Sequence, residues 1–430
     1  MRNKSNYPKF LLLWAGDLIS QIGGGLTSFG LGVYVFNQTN SAALMALITL
    51  CGFLPTIAHS VPAGVLADMY DRRKLMMIGD GCSAIGIAYI LICMLTGKAE
   101  VWQICLGVFV SSLFSALLEP SYRATITDIL TKEEYTKANS LASLAGSARY
   151  LVSPVMAGIL LASYDIKLLL IIDICTFFVT FTSTLVVRRS IGTTTQKSKE
   201  DFFANLKIGW HEVYARKGVF ELIAVSSVIT MFLGVIQVLS EPLVLAFSSS
   251  KILGICETVC ALGMVVTALI TGITGIRKNH SKVLALSLCL AGVFMIGYAT
   301  KENILCICIF GFLFFMMLPL ANSSLDYLAR INIPDELQGR VWGFIGFISQ
   351  LGYIPAYALS GVLADRAGSN LNIGVGRGAA LIIAVAGTLL VITSLAALGS
   401  RRIRNLENAA ELVINTGNEK GETDSYNQQD

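Results

Sequence analysis

Charge is what this sequence has least of. Charged side chains make up 14% of its 430 residues, against roughly 25% in an ordinary soluble domain. The deficit is uneven, because stretches of about 20 residues, the length that spans a bilayer, carry one charge or none. That excludes a soluble globular chain and points to a polytopic membrane protein. Other absences narrow the chemistry. No G-x-x-x-x-G-K-[ST] loop occurs, which excludes ATP-driven work by this chain alone. Gly23-Gly24-Gly25 is no dinucleotide loop, since no strand precedes it. No nucleophile, base and orienting group fall together, so nothing points to an enzyme. The ten cysteines all lie in apolar stretches. Cys256 and Cys260 share a helix face, but no histidine or further cysteine completes a metal set, and no cofactor or metal is expected. Basic residues in the polar segments are not interleaved with aromatics, so the net charge of +4 carries no nucleic-acid signal. The first apolar stretch lacks a small-residue cleavage site and is longer than a signal core, so no removed leader is expected.

What is present is a unit repeated along the chain: apolar span, tight turn, apolar span. The turn G-V-L-A-D-M-Y-D-R-R-K, Gly64 to Lys74, lies between spans at about 41–66 and 75–95. Its Asp68 and Asp71 sit next to helix ends, where carboxylates can lock neighbouring helices together. Arg72, Arg73 and Lys74 mark it as cytoplasmic. Twelve spans are expected, near 9–35, 41–66, 75–95, 102–122, 138–161, 167–187, 219–240, 251–271, 282–300, 304–325, 340–363 and 377–399. With both termini in the cytoplasm, 25 of the 32 basic residues fall inside, six fall outside, and Arg149 lies within a span. Residues 123–136 read as a polar loop with a helical turn.

The chain divides into a six-helix bundle at 1–187, a linker at 188–217, a second six-helix bundle at 218–400 and a polar tail at 401–430. In the linker Phe203, Leu206, Trp210 and Val213 recur at helical spacing, which predicts a short amphipathic helix on the inner membrane surface. The tail reads as disordered. The halves also repeat in sequence. With Glu134 set against Glu336, Pro154 falls within a residue of Pro355 and Gly158 within a residue of Gly361. An all-α membrane protein with two six-span halves has the organisation of an alternating-access transporter.

Arg149 is the sharpest candidate. It lies about ten residues into its span, roughly 15 Å at 1.5 Å per residue. A mid-membrane arginine needs a partner or a wet cavity. Asp17 and Glu119 can each supply the partner, either as a proton-linked switch or as a static ion pair. Asp173 and Glu257 either line the cavity or make interhelical hydrogen bonds. Asp80 reads as part of the gate, bonded to the Arg72-Arg73 turn. Glu221, Glu241 and Asp326 read as interfacial, and His59 as a helix–helix hydrogen bond. Pro154 removes a helix hydrogen bond and Gly158 permits close approach, so Ser153, Pro154, Gly158, Pro355 and Gly361 are expected to let spans 5 and 11 pack tightly and bend.

These motifs resemble the major facilitator superfamily over nearly the whole chain. Gly64 to Lys74 is similar to that family's signature turn between spans 2 and 3. The resemblance implies that Asp68 contacts a neighbouring helix end and that Arg72 and Arg73 form a cytoplasmic charge relay. The equivalent turn of the second half, T-G-I-T-G-I-R-K from Thr271, lacks the aspartate, which implies a weaker second gate. G-V-L-A-D recurs instead at Gly361, on the outer side. F-L-L-L-W-A-G-D-L-I-S-Q-I-G from Phe10, E-P-S-Y-R-A from Glu119 and P-D-E-L-Q-G-R-V from Pro334 resemble the macrolide-efflux and enterobactin-exporter branch. S-P-V-M-A-G, Ser153 to Gly158, is similar to the span 5 exporter signature G-P-x-x-G-G with two glycines replaced. The implied activity is proton-coupled export of an amphipathic small molecule, with protons as coupling ion, by a monomer among the lipids of a bacterial cytoplasmic membrane. The alternatives are import of a small nutrient or peptide and lipid flipping; a scaffold or receptor role is disfavoured by the intact turn.

Overall fold

A computed structural model describes residues 6–190, 217–276, 279–333 and 338–407, together with Trp210 and Tyr214. Its described helices are α1 (Tyr7–Thr39), α2 (Ala42–Met69), α3 (Arg72–Thr96), α4 (Val101–Ser115), α5 (Leu118–Ile129), α6 (Tyr135–Leu151), α7 (Ser153–Ser163) and α8 (Ile166–Ser190). They continue as α9 (Lys217–Leu245), α10 (Ser250–Thr274), α11 (His280–Ala299), α12 (Ile304–Ile331), α13 (Gln338–Gln350), α14 (Tyr353–Asn370) and α15 (Gly374–Gly399). Twelve helical stretches among the described residues are long and apolar enough to cross a membrane. Large apolar side chains such as Ile85, Ile92, Phe178, Leu269 and Leu286 face outward. That inversion of a soluble surface suits hydrocarbon as solvent, where each helix satisfies its own backbone.

Three spans are broken into two helices, and a proline follows each break. The α4–α5 break precedes Pro120, the α6–α7 break precedes Pro154, and the α13–α14 break precedes Pro355. A proline ring removes one backbone donor and crowds the carbonyl four residues back, so the ladder changes direction there. The polar stretch at 123–136 is more ordered than a loop. Residues 123–129 continue α5, and after a 3-10 turn at Lys132–Glu134 the chain enters α6 directly. Its polar residues recur with a helix's period on one side of a short amphipathic helix, which an average over a long window reads as a loop.

The first six spans pack mainly among themselves, as do the last six. In the first set α1 lies on α6 and α8, and α3 on α4 and α8; in the second, α11 lies on α12 and α15, and α14 on α9 and α15. Small residues set these distances. A Cβ on Gly86 would collide with the Gly107 carbonyl, and one on Gly107 with Gly86, so α3 and α4 touch backbone to backbone. The sets meet through α1, α2, α6 and α7 against α9, α10 and α14. The contacts named below lie toward the end of the molecule that carries the Asn40 turn. The opposite end carries the Arg72 turn, where α5 and α13 pack within their own sets. These are called the Asn40 end and the Arg72 end.

The polar tail begins as structure. Residues 401–407 are helical, Ile403 is buried, and Leu406 fills the space beside Gly218. Arg402 pairs with Glu221 at 2.7 Å. Glu407 accepts from the backbone N–H of His280 (2.6 Å) and Ser281 (3.2 Å), and from the Ser281 hydroxyl. A carboxylate from the far end of the chain thus caps α11, whose own N-cap residue, Asn279, makes no side-chain cap. The turn at Thr271 lacks an acid, and Glu407 provides one there instead. Residues 408–430 lie outside the described residues, as does most of the expected linker helix. Of that helix Trp210 is described, stacked on Tyr214 and edge-on to Phe344.

Gly86→Val is expected to destabilise the protein by about 1–3 kcal/mol through overpacking, whereas Gly81→Val, with open space at its Cβ, changes little. Thermal unfolding in detergent of the two variants side by side checks this; equal midpoints would contradict the backbone contact. Glu407→Ala is expected to lose about 0.5–2 kcal/mol, the range for a helix cap, with Glu407→Gln falling between it and the parent in the same measurement.

Candidate functional site

At the Arg72 end the charged turn is built into four helices. Asp71 is the N-cap of α3, accepting from the Arg73 N–H at 3.2 Å. Its other oxygen accepts from Arg188 Nε of α8 at 2.9 Å. Arg72 donates to the carbonyls of Ala67 (3.2 Å) and Ala124 (3.1 Å) and pairs with Asp128 of α5 at 2.6 Å. Arg73 is buried beside Asp128 and Asp71. Arg72 therefore binds the carbonyl end of α2 and a carbonyl of α5, while the arginines share two carboxylates. Charged hydrogen bonds of this kind are the strong ones. Asp128 and Arg188 complete the cluster, although neither stood out in sequence. The Asp68 side chain lies outside the described residues. The backbone at Gly64 faces open space.

Asp80 does not join that turn. It is fully buried on α3, and neither of its carboxylate oxygens has a hydrogen-bond partner among the described residues. Two helical turns separate it from Arg72, and α3 turns it into the interior. Asp17 accepts from Gln21 at 3.4 Å. Glu119 is taken by Arg123 one turn along α5, at 2.7 Å and in an exposed position. Asp17 and Glu119 therefore do not pair with Arg149, whose side chain is exposed. Asp173 of α8 is buried and receives the Thr176 hydroxyl at 3.4 Å.

The glycine run of α1 makes that arrangement possible. A Cβ on Gly23 would meet Asp173 and Thr176, and one on Gly25 would strike Ser153 and the Arg149 carbonyl, while Gly24 faces open space. α1 is thereby wedged between α8 and the α6–α7 junction. Ser153 adds a hydrogen bond to the Ile22 carbonyl at 3.0 Å. Residues on three different helices meet through two glycines, which linear spacing does not reveal. His59 also departs from expectation: its Nδ1 lies 3.1 Å from the Pro55 carbonyl of its own helix, not on a neighbour.

The seam between the two sets carries the rest of the site. Gly254 of α10 sits against the Pro154 carbonyl, and Gly158 of α7 against Ser250 and Lys251. Thr258 donates to the Leu151 carbonyl at 2.9 Å. This places Arg149 and Glu257 on two helices that share a seam. Glu241 of α9 is not interfacial: a Cβ on Gly32 of α1 would collide with its carboxylate, and its Oε2 is buried with no hydrogen-bond partner among the described residues. Its position near the end of a span concealed this, because α1 covers it. Nearer the middle, Phe53 of α2 packs edge-on to Tyr353 and Tyr357 of α14, each at 5.4 Å between centroids. Tyr357 donates to Gln237 Oε1 of α9 at 3.1 Å, and Tyr353 stacks on Tyr357. An aromatic cage with one amide therefore bridges both sets. Pro355 lies between the two tyrosines in sequence, and their spacing of four was the available signal.

The comparisons with known proteins follow this geometry. The chain is 26% identical over 379 residues to macrolide efflux protein A of Streptococcus pyogenes, covering 84% of this chain and 91% of that one. It is 23% identical over 344 residues to the enterobactin exporter EntS of Salmonella choleraesuis, covering 78% and 81%. The fold matches the crystal structure of the POT family transporter PepTSo with a TM-score of 0.74 at 9% identity, over 94% of this chain and 98% of that one. The similar proteins fall in several branches and single out none. The family model described as Major Facilitator Superfamily matches residues 13–357. The chain belongs to the Major Facilitator Superfamily, as a multi-pass membrane protein that carries a small molecule by secondary active transport and is not an enzyme.

Proposed function

We propose that the chain exports an amphipathic small molecule by alternating access between its two six-span sets, with protons as the coupling ion. The observation that carries this is the cage of Phe53, Tyr353 and Tyr357 with Gln237, contributed by helices of both sets. Aromatic faces bind apolar and planar groups, and a few fixed polar groups orient them. A cage shared by two bodies is remade whenever they rock. Asp17, Asp173 and Glu257 supply carboxylates within the spans, where a proton and an ion pair exchange as the environment changes. Gly64, Asp68, Asp71, Arg72 and Arg73 form the gate of the Arg72 end, which faces the cytoplasm in this proposal. The relatives named for macrolide efflux and enterobactin export support this direction.

A second reading is import of a small zwitterionic nutrient such as a peptide. One observation favours it: Arg149 and Glu257 stand on the two helices that meet at the α6–α10 seam. Opposite charges from the two sets suit a molecule that carries both.

Transport assays in a host lacking its own pumps decide between the two. Macrolides, dyes, catecholate siderophores and small peptides are each tested with and without a protonophore. Export predicts lower accumulation in energised cells, abolished by the protonophore; higher accumulation of a peptide in energised cells would replace export by import. Arg149→Gln and Asp17→Asn are expected to abolish coupled transport while the protein remains in the membrane. Wild-type rates in both would remove them from the mechanism. Phe53→Ala is expected to weaken apparent affinity roughly tenfold, the scale of one lost aromatic contact pair, and Tyr357→Phe by less. Unchanged affinity in both would place the substrate elsewhere.

A further inference from the structure

The five residues G-V-L-A-D occur twice, at Gly64–Asp68 near the end of α2 and at Gly361–Asp365 in α14. The transport mechanism above uses the first copy and leaves the second unexplained. The second copy crosses from one set to the other. A Cβ on Gly361 would collide with the Ala42 carbonyl and crowd Ala43, so only glycine lets α14 reach the first turn of α2. One helical turn later, Asp365 caps that turn. Its Oδ1 accepts from the Ala42 N–H at 2.9 Å. Its Oδ2 accepts from the Ala43 N–H at 3.1 Å and from the Ser41 hydroxyl at 2.5 Å. Ser41 is itself the N-cap of α2, accepting from the Leu44 N–H at 3.2 Å. Both carboxylate oxygens are thus committed to the partially positive end of a helix in the other set.

We infer that Asp365 is the latch of the Asn40 end, a positioning residue that holds the two sets closed there and must release α2 in each transport cycle. Gly361 is packed tightly on its partner helix, whereas a Cβ on Gly64 meets nothing among the described residues. An aspartate whose only task was to stabilise α14 would cap its own helix; Asp365 sits in the last turns of α14, where the dipole disfavours an anion. Its position is paid back only by contact with α2. Hydrogen bonds to a carboxylate are stronger than neutral ones, yet two from backbone N–H groups and one from a hydroxyl still break and reform on the time scale of domain rocking.

The inference rests on the alternating-access proposal, so its test reads conformation and not transport. Spin labels are placed at Gln38 and Asn370 across the Asn40 end, and at Thr127 and Thr274 across the Arg72 end, in a cysteine-free background with parental thermal stability. Distances are measured by double electron–electron resonance. Asp365→Ala is expected to lengthen the Gln38–Asn370 distance and shorten the Thr127–Thr274 distance together, with a population change of about tenfold. Asp365→Asn, which keeps one acceptor oxygen, and Ser41→Ala, which removes one of three bonds, are expected to shift the same two distances by less. A change confined to the Asn40 end, or no change at either end, would overturn the latch and leave a local cap. Reciprocal movement with no transport of any substrate would fault the transport proposal and not the latch.

Discussion

Hydrocarbon offers no hydrogen bond, and that constraint organises this protein. Within a span the helix satisfies its own backbone, so the unsettled groups are the helix ends and the few charges. The structure settles several of them with a side chain from another element or from the turn itself. Asp71 caps α3, Asn303 caps α12 through the N–H groups of Leu305 and Cys306, Glu407 caps α11, and Asp365 caps α2. Arg72 does the same for carbonyl ends. The places where one helix end depends on a distant residue are therefore the places where the fold is joined or can be unjoined.

Much of the architecture was legible in sequence because bilayer thickness sets a length and the apolar runs meet it. The twelve spans and the charged turn follow from that one physical scale. Span interiors were harder. A window average cannot see that α5 continues through residues 123–129, or that 401–407 fold back as a helix, since both are polar on one side and anchored by a few apolar contacts.

The site was legible in its residue types and not in its pairings. Arg149 announced itself by the cost of placing a cation within a span, but it is exposed and pairs with neither Asp17 nor Glu119, because Gly23 and Gly25 set α1 against Asp173 of α8 and the backbone of α6. Asp80 was assigned to the Arg72 turn by proximity in sequence, and helix rotation carried it into the interior. Glu241 was assigned to the interface by its distance from the span centre, and α1 covers it. The cage of Phe53, Tyr353 and Tyr357 was invisible because aromatic residues are common in spans and its members come from opposite halves. Each miss has the same cause: contacts across helices depend on rotation and close approach, which a linear pattern does not encode.

The cap on α11 has a consequence for how the protein is made. In the first half, the acid that caps α3 lies in the turn just before it, so the cap can form as soon as that helix leaves the ribosome. In the second half, the acid that caps α11 lies beyond α15, 127 residues after His280. During synthesis the first half can complete its turn while the second is still emerging. The second half must hold α11 uncapped through the insertion of three more spans, and its final structure waits for a short helix after the last of them. Assembly of the two halves is thus ordered in time by where each draws its carboxylate.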